Sequence, residues 1–394
     1  MKLNRFIAYE RTILILFLVY IASSLAVNLI NPVWPIYIKS YLSASMTELG
    51  LLFSMSNAAA AIMQILSGFL SDKYGRKRLH ALGILLAAFP PLMYALANNW
   101  IDLVPWVLLS GFAIGLYVPI RWTMVADISS TEKMASAYGL MNISWLLGFT
   151  VGPLLGGLVA DFFGIRFPFF ASFALMLSVF PLTLLIRETK KQQPNALNAK
   201  SVKAGVANGY MATMIIFSTI NIIQGLGVGV TGPVIPVFAI SNFHVDYTFV
   251  GALYAIGFGV ASIVVQIPGG KCSDLFDRRK VMAVTFIASS PFFLLLVYSR
   301  NMLELIVFMF LSNAIFNLSW PAFQTLMMDA TPYSRWGFIN GISATTFWLG
   351  ETLGAALSGI LWDSLGMLAP FYASFFAIGF SAILPLLLKE TRSN

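Results

Sequence analysis

The chain holds 394 residues with a formal net charge of +8, yet 58% are hydrophobic and only 10% are charged. Soluble chains carry about 25% charged residues, so a globular cytosolic enzyme is excluded. A lone cysteine, Cys272, excludes a disulfide framework or a cysteine metal cluster, and two histidines, His80 and His244, leave little for a histidine-based site. Apolar stretches between charged or turn residues predict twelve helices, each near the ~20 residues that a bilayer crossing needs. In chain order they run over 12–38, 47–71, 79–97, 101–125, 135–160, 167–186, 208–240, 247–272, 281–299, 302–328, 337–362 and 368–388. The first apolar run is too long for a signal core and lacks a small-residue cleavage site, so no cleavable signal peptide is expected. On this reading His80 and His244 fall in or beside loops.

Lysine and arginine set the expected orientation. With the amino terminus inside, Lys39, Arg166 and Arg300 are left outside and Arg121 lies within a span, while the other basic residues gather on inner segments such as 73–78, 187–203 and 278–280. The positive-inside rule then predicts a multi-pass protein of the cell membrane with both termini cytoplasmic. The basic surplus serves topology, so a nucleic-acid partner is not expected.

The chain also repeats itself. Shifted by 202 positions, it aligns without a gap from Gln64 to Thr189, matching Gly68 to Gly270, Asp72 to Asp274, Arg76 to Arg278, Asp127 to Asp329, Gly152 to Gly354 and Asp161 to Asp363. Pro32 and Pro35 return as Pro233 and Pro236 at a shift of 201. An even number of spans per copy makes the repeats parallel, related by an axis along the membrane normal. The expected architecture is therefore an all-α polytopic membrane protein of twelve transmembrane helices in two parallel six-helix repeats. One bundle covers 1–189, a polar cytoplasmic linker 190–205, and the second bundle 206–394. Two such halves can rock about a shared midplane cavity and expose it to each side in turn.

Between the second and third spans the sequence reads GFLSDKYGRKR, from Gly68 to Arg78. Gly68 allows close helix contact and Gly75 a tight turn. Asp72 sits near the carboxyl end of a helix, unfavourable for an anion by the helix dipole, so it wants a cation such as Arg76 one turn on. The second copy, GKCSDLFDRRK from Gly270, keeps Asp274 and Arg278 but puts Asp277 where the turn glycine stood. Lys77 and Arg78 are explained equally well by anchoring at the membrane surface.

This doubled loop resembles the hallmark GxLxDRxGRR of the major facilitator superfamily, and the resemblance covers essentially the whole chain. It implies the two-bundle fold of that family and a cytoplasmic latch. In the latch the charges of Asp72, Arg76, Asp274 and Arg278 join acidic residues at the inner ends of neighbouring helices, which by position are Asp127, Glu188, Asp329 and Glu390. The family latch is associated with the outward-facing state. A second signature, GFTVGPLLGG, spaces Gly148, Gly152 and Gly156 on one helix face ahead of Gly157, with Pro153 to bend the helix. It is similar to the GxxxGPxxGG motif of the drug:proton antiporter branches, although a glycine stripe also serves packing alone. Those branches commonly place an arginine and a glutamine in the fourth span, where this chain has Val107 and Ser110. The usual proton-linked arginine is thus absent.

Charged residues inside a membrane are costly and mark function by default. Arg121 lies six residues before Asp127, about 9 Å from that boundary. Glu351 lies closer to the middle of the eleventh span, where a carboxyl can carry a proton through a cycle or simply bond a neighbouring helix. The depths of the two argue against a direct ion pair. Arg121 fits either recognition of an anionic group, snorkelling to the inner surface or pairing with Asp127. In the family, spans 1, 4, 7 and 10 line the cavity. They bring Asn28, Asn31 and Trp34, then Arg121, then Asn221 and Gln224, and finally Asn313, Asn317, Trp320 and Gln324. Amides mixed with aromatics suit amphipathic organic molecules, and any one amide can equally tie two helices together.

The leading expectation is a secondary active transporter of small organic compounds, coupled to protons and exporting drug-like or amphipathic molecules. The alternatives are uptake or facilitated diffusion of a sugar, organic acid or other metabolite, and an intramembrane enzyme. The last lacks a clustered catalytic set or a Walker loop. No metal or cofactor is implied, the partners are the lipid bilayer, a small-molecule substrate and protons, and a monomer suffices.

Overall fold

A computed structural model describes residues 2–129, 134–189, 207–331 and 336–388. The expected linker and Glu390 lie outside the described residues. The rest is helical, with no strand among the described residues. Among the described residues, eleven helices are long and apolar enough to cross a membrane. In order, the first six are Thr12–Tyr41 (α1), Met46–Tyr74 (α2), Arg76–Leu96 (α3), Ile101–Ile128 (α4), Ala137–Phe163 (α5) and Phe167–Leu184 (α6). Then come Met211–Phe243 (α7), Tyr247–Leu275 (α8), Arg278–Tyr298 (α9) and Met302–Asp329 (α10). Trp336–Leu365 (α11) precedes Ala369–Leu387 (α12). The 30-residue α11 is not one of the eleven. It carries Glu351, Asp363 and many small polar residues, and it packs chiefly on α7 and α2, so protein rather than lipid covers much of it.

Several helices are discontinuous near proline, which lacks the N–H for a helical bond, or near glycine, whose conformational freedom makes a break less costly. α1 loosens at 31–33 beside Pro32 and ends in a π-helical turn over Tyr37–Tyr41. α7 breaks at Gly232 and Pro233, α8 widens into a π-helix over Ala255–Val260, and α10 breaks at 318–319 just before Pro321. α3 starts at Arg76, a turn earlier than the sequence suggested, because Gly75 ends α2 with φ +94° and the chain re-enters a helix at once. His80 consequently lies inside α3 and is fully buried, which corrects its expected place beside a loop. His244 does end α7, in the left-handed conformation with φ +49°.

The apolar cores divide the molecule unevenly. One core joins both halves, bringing Tyr37, Leu49 and Phe169 of the first together with Phe238, Leu253 and Phe371 of the second. It lies at the end of the bundle remote from Asp72 and Arg76. Toward the end that carries those charges the halves have separate cores, one around Tyr20, Ile84 and Met124, the other around Phe217, Phe286 and Phe323. The bundle is thus a clamp sealed at one end and parted at its charged-loop end.

Candidate functional site

A cavity of about 170 Å³ sits between the halves at the edge of the shared core. The first half supplies Asn31 and Pro35 from α1 and Phe53 and Asn57 from α2. The second supplies Gly229, Gly232 and Pro233 at the break in α7, Tyr254 from α8, and Glu351 and Ala355 from α11. Glu351 is half-buried and faces this space, while the Tyr254 hydroxyl donates to the Gly232 carbonyl at 3.3 Å. Interlocked backbones hold the carboxyl there. A Cβ on Gly229 would lie 2.8 Å from the Glu351 Cα, and one on Gly225 would lie 2.9 Å from its amide nitrogen. Gly350 and Gly354 return the contact against Ile222 and Leu226. Such close approach is the use membrane helices make of small residues.

The first half repeats the device with different partners. Gly148, Gly152 and Gly156 press on α1 at the Ser24 side chain and at the backbone of Leu25, Asn28 and Leu29. On the other side of α5, the Pro153 backbone meets Gly251, and Gly157 meets Tyr247 and Thr248, all three in α8 of the second half. The GFTVGPLLGG segment is therefore a two-sided seam, gripping its own half and the opposite one. Beyond it, Asp161 accepts hydrogen bonds from the Tyr247 amide at 2.9 Å, the Thr248 amide at 2.8 Å and the Thr248 hydroxyl at 2.5 Å. Its repeat mate Asp363 accepts from the Thr47 amide at 2.8 Å and the Thr47 hydroxyl at 2.7 Å. Each carboxylate thus caps the first turn of a helix in the other half, satisfying amides that a helix start leaves orphaned.

At the charged-loop end the ion pairs seen among the described residues join groups of the same half. Arg76 pairs with Asp127 and lies 3.6 Å from Asp72, which is largely exposed. The Arg76 amide donates to Glu188 at 3.0 Å, and its guanidinium to the Thr123 carbonyl at 3.3 Å. Lys77 reaches the Leu184 carbonyl at 2.7 Å. Gly75 is held beside Glu188, since a Cβ there would stand 2.7 Å from its Oε2. In the second copy Arg278 bonds Asp329 at 2.5 Å, and Asp277 caps α9 through the Arg279 amide at 3.0 Å. Arg279 also bridges to the Leu388 carbonyl at 3.1 Å. Asp274 is exposed and forms no ion pair among the described residues. Gly68 and Gly270 have no atom within 4 Å of a would-be Cβ, nor do Gly139 and Gly341 on the adjoining α5 and α11.

The remaining candidates fall in several places. Asn28 is fully buried, donates to the Ser24 carbonyl at 2.8 Å and accepts from Asn31 at 2.8 Å, so it supports a cavity residue from behind. Trp34 stacks on Tyr94 at 4.2 Å beside Phe169, in the shared core and outside the cavity. Asn221 bridges α7 to Ser343 of α11 at 2.8 Å, while Gln224 is buried with its amide nitrogen unpartnered. Asn313 and Asn317 donate down their own helix at 2.9 and 2.8 Å, Trp320 is exposed against Phe323, and Gln324 is half-buried. The cavity takes no residue from α4 or α10, although both were expected to line it. Sequence reasoning missed Phe53, Asn57 and Tyr254, and only the polarity of Asn57 in an apolar span could have signalled the site.

Arg121 stands apart, 4% exposed in the first half. Its guanidinium carbon lies 4.7, 4.8 and 5.3 Å from the ring centres of Tyr20, Trp122 and Trp145. It forms no ion pair among the described residues. No three His, Cys, Asp or Glu side chains converge as metal ligands among them either.

A family model described as Major Facilitator Superfamily matches residues 16–225 and again 217–394. The chain is similar to Multidrug resistance protein 2 of Bacillus subtilis, 27% identical over 398 residues, covering 98% of this chain and 97% of that one. It is similar to the quinolone resistance protein NorA of Staphylococcus aureus, 26% identical over 392 residues, with 94% of each chain covered. Among solved structures the fold resembles a D-xylose–proton symporter, with a TM-score of 0.78, 13% identity, and 96% of this chain and 98% of that one covered.

Proposed function

The chain belongs to the major facilitator superfamily, transporters and not enzymes, and from that premise we propose that it exports amphipathic, drug-like compounds across the cell membrane in exchange for protons. One observation carries the reading. Glu351 opens into the cavity between the halves, beside the seam along which they separate. A carboxyl there binds a proton from one side while the clamp is open to it, and releases it after the clamp reverses. Substrate and proton then compete for one space and cross in opposite directions. The likeness to Multidrug resistance protein 2 and NorA supports drug-like cargo. The GFTVGPLLGG seam supports antiport, because it ties the α1 wall of the cavity to α8 of the opposite half. With both termini in the cytoplasm, the parted end faces inward and the conformation is inward-facing.

Inside-out vesicles with an acid interior and a pH dye test this directly. Addition of a quinolone or of the lipophilic cation ethidium should dissipate the gradient with wild-type protein and not with Glu351→Gln. If labelled compound crosses while the gradient stands untouched, the reading fails and facilitated diffusion replaces it.

A further inference from the structure

Arg121 presents an electrostatic problem that the transport cycle proposed above leaves unsolved. An arginine only 4% exposed within a membrane domain needs a counter-charge, and no described residue supplies one. The faces of Tyr20, Trp122 and Trp145 offset part of its desolvation, but rings carry no net charge. Around it lie further polar atoms with nothing to bond. The Tyr20 hydroxyl, both ring nitrogens of His80 and the Arg121 Nε are buried and unpartnered, with the His80 ring standing edge-on to Tyr20 at 6.1 Å and to Tyr117 at 6.2 Å. Buried polar groups nearly always find partners, so several orphans around one cation mark a place where something else binds.

The repeat shows that the fold itself does not require this arrangement. The mates of Arg121 and His80 are Phe323 and Met282. Both pack into the ordinary apolar core of the second half. The cluster also has an approach. Trp145 sits one helical turn from Phe149, whose ring meets Phe258 of the opposite half at 4.6 Å, so this face of α5 looks across the clamp. Trp122 and Trp145 are half-buried, and they stand on the parted side of that contact.

We propose that Arg121, with Tyr20, Trp122 and Trp145, forms a recognition site for the carboxylate of an aromatic organic anion, entered from the parted cleft. A planar fork matches a carboxylate, and the flanking rings suit an aromatic body attached to it. The proposal rests on the transport reading and specifies a cargo class for it.

The test is equilibrium binding to the purified full-length protein with no proton gradient, so a failure of antiport leaves it intact. The probes are 2-naphthoate, its neutral amide 2-naphthamide, chloride and inorganic phosphate. Saturable binding of naphthoate is expected, with the amide and both inorganic anions failing to compete. Arg121→Gln should weaken it by about 10- to 100-fold, in line with the loss of a charged hydrogen-bond partner. The paired change Arg121→Phe with His80→Met copies the apolar solution of the second half, so it should fold, melt no lower than wild type and bind no naphthoate. Equal binding of the amide, displacement by chloride, or undiminished binding in the paired variant overturns the proposal. Absence of saturable binding to wild type, as expected for a site holding only water, overturns it too.

Discussion

The two halves use one helical plan and place the charges within their spans at different points of it. Arg121 in the first half has Phe323 as its mate, and Glu351 in the second has Phe149. At each position one copy packs a ring where the other keeps a charge. Phe323 lies in its own apolar core, and Phe149 meets Phe258 across the seam. Features held in common, such as the glycine faces and the capping carboxylates, build the clamp. Features held by one copy only are free to do chemistry.

The sharpest way to break this division is at Glu351. Glu351→Gln should reduce gradient-driven export to the level of protein-free vesicles while leaving the melting temperature near wild type. A simultaneous collapse of stability would instead make Glu351 part of the scaffold. Next in size is the seam. Gly156→Val would drive a branched side chain into the Leu29 carbonyl and should cost about 3 kcal/mol by overpacking. The same change at Gly68, which has empty space beside it, should leave thermal unfolding almost unmoved, and equal losses would contradict the parted geometry. The caps come third. Asp161→Ala and Asp363→Ala should each loosen the sealed end by about 1 kcal/mol, with Asp161 the larger because it accepts three bonds to the two of Asp363. Faster modification of Phe53→Cys by an impermeant thiol reagent, in a Cys272→Ser background, would register that opening. Smallest is the pair Asp72→Asn and Asp274→Asn, both exposed here. Each should change stability by less than about 0.5 kcal/mol, and a larger shift at Asp274 would show a bond absent from this conformation.

Much of the architecture was legible because membranes impose it. Span lengths follow from bilayer thickness, and the 202-residue shift exposed the duplication through Asp72 and Asp274 or Gly152 and Gly354. Which face of each helix looks into the cavity was not legible. In lipid, apolar side chains are welcome both outside and in packed interiors, so the stripe that orients a helix in a soluble protein fades. Trp34 was therefore assigned to a cavity it does not touch, and Phe53 and Tyr254 were overlooked. Backbone breaks matter as well. The cavity opens where Gly232 and Pro233 interrupt α7, and a proline predicts a bend without its direction. Glu351 was identifiable because an isolated carboxylate in a span has so few innocent explanations.

The core shared by Tyr37, Phe238 and Phe371 also constrains speed. A carrier must abandon this sealed end once in every turnover, so the adhesion there enters the barrier directly. Each added ~1.4 kcal/mol that is lost before the transition state slows reopening about tenfold. Substitutions that fill gaps along the seam would thus raise the melting temperature while lowering flux, which bounds its tightness from above as firmly as leakage bounds it from below.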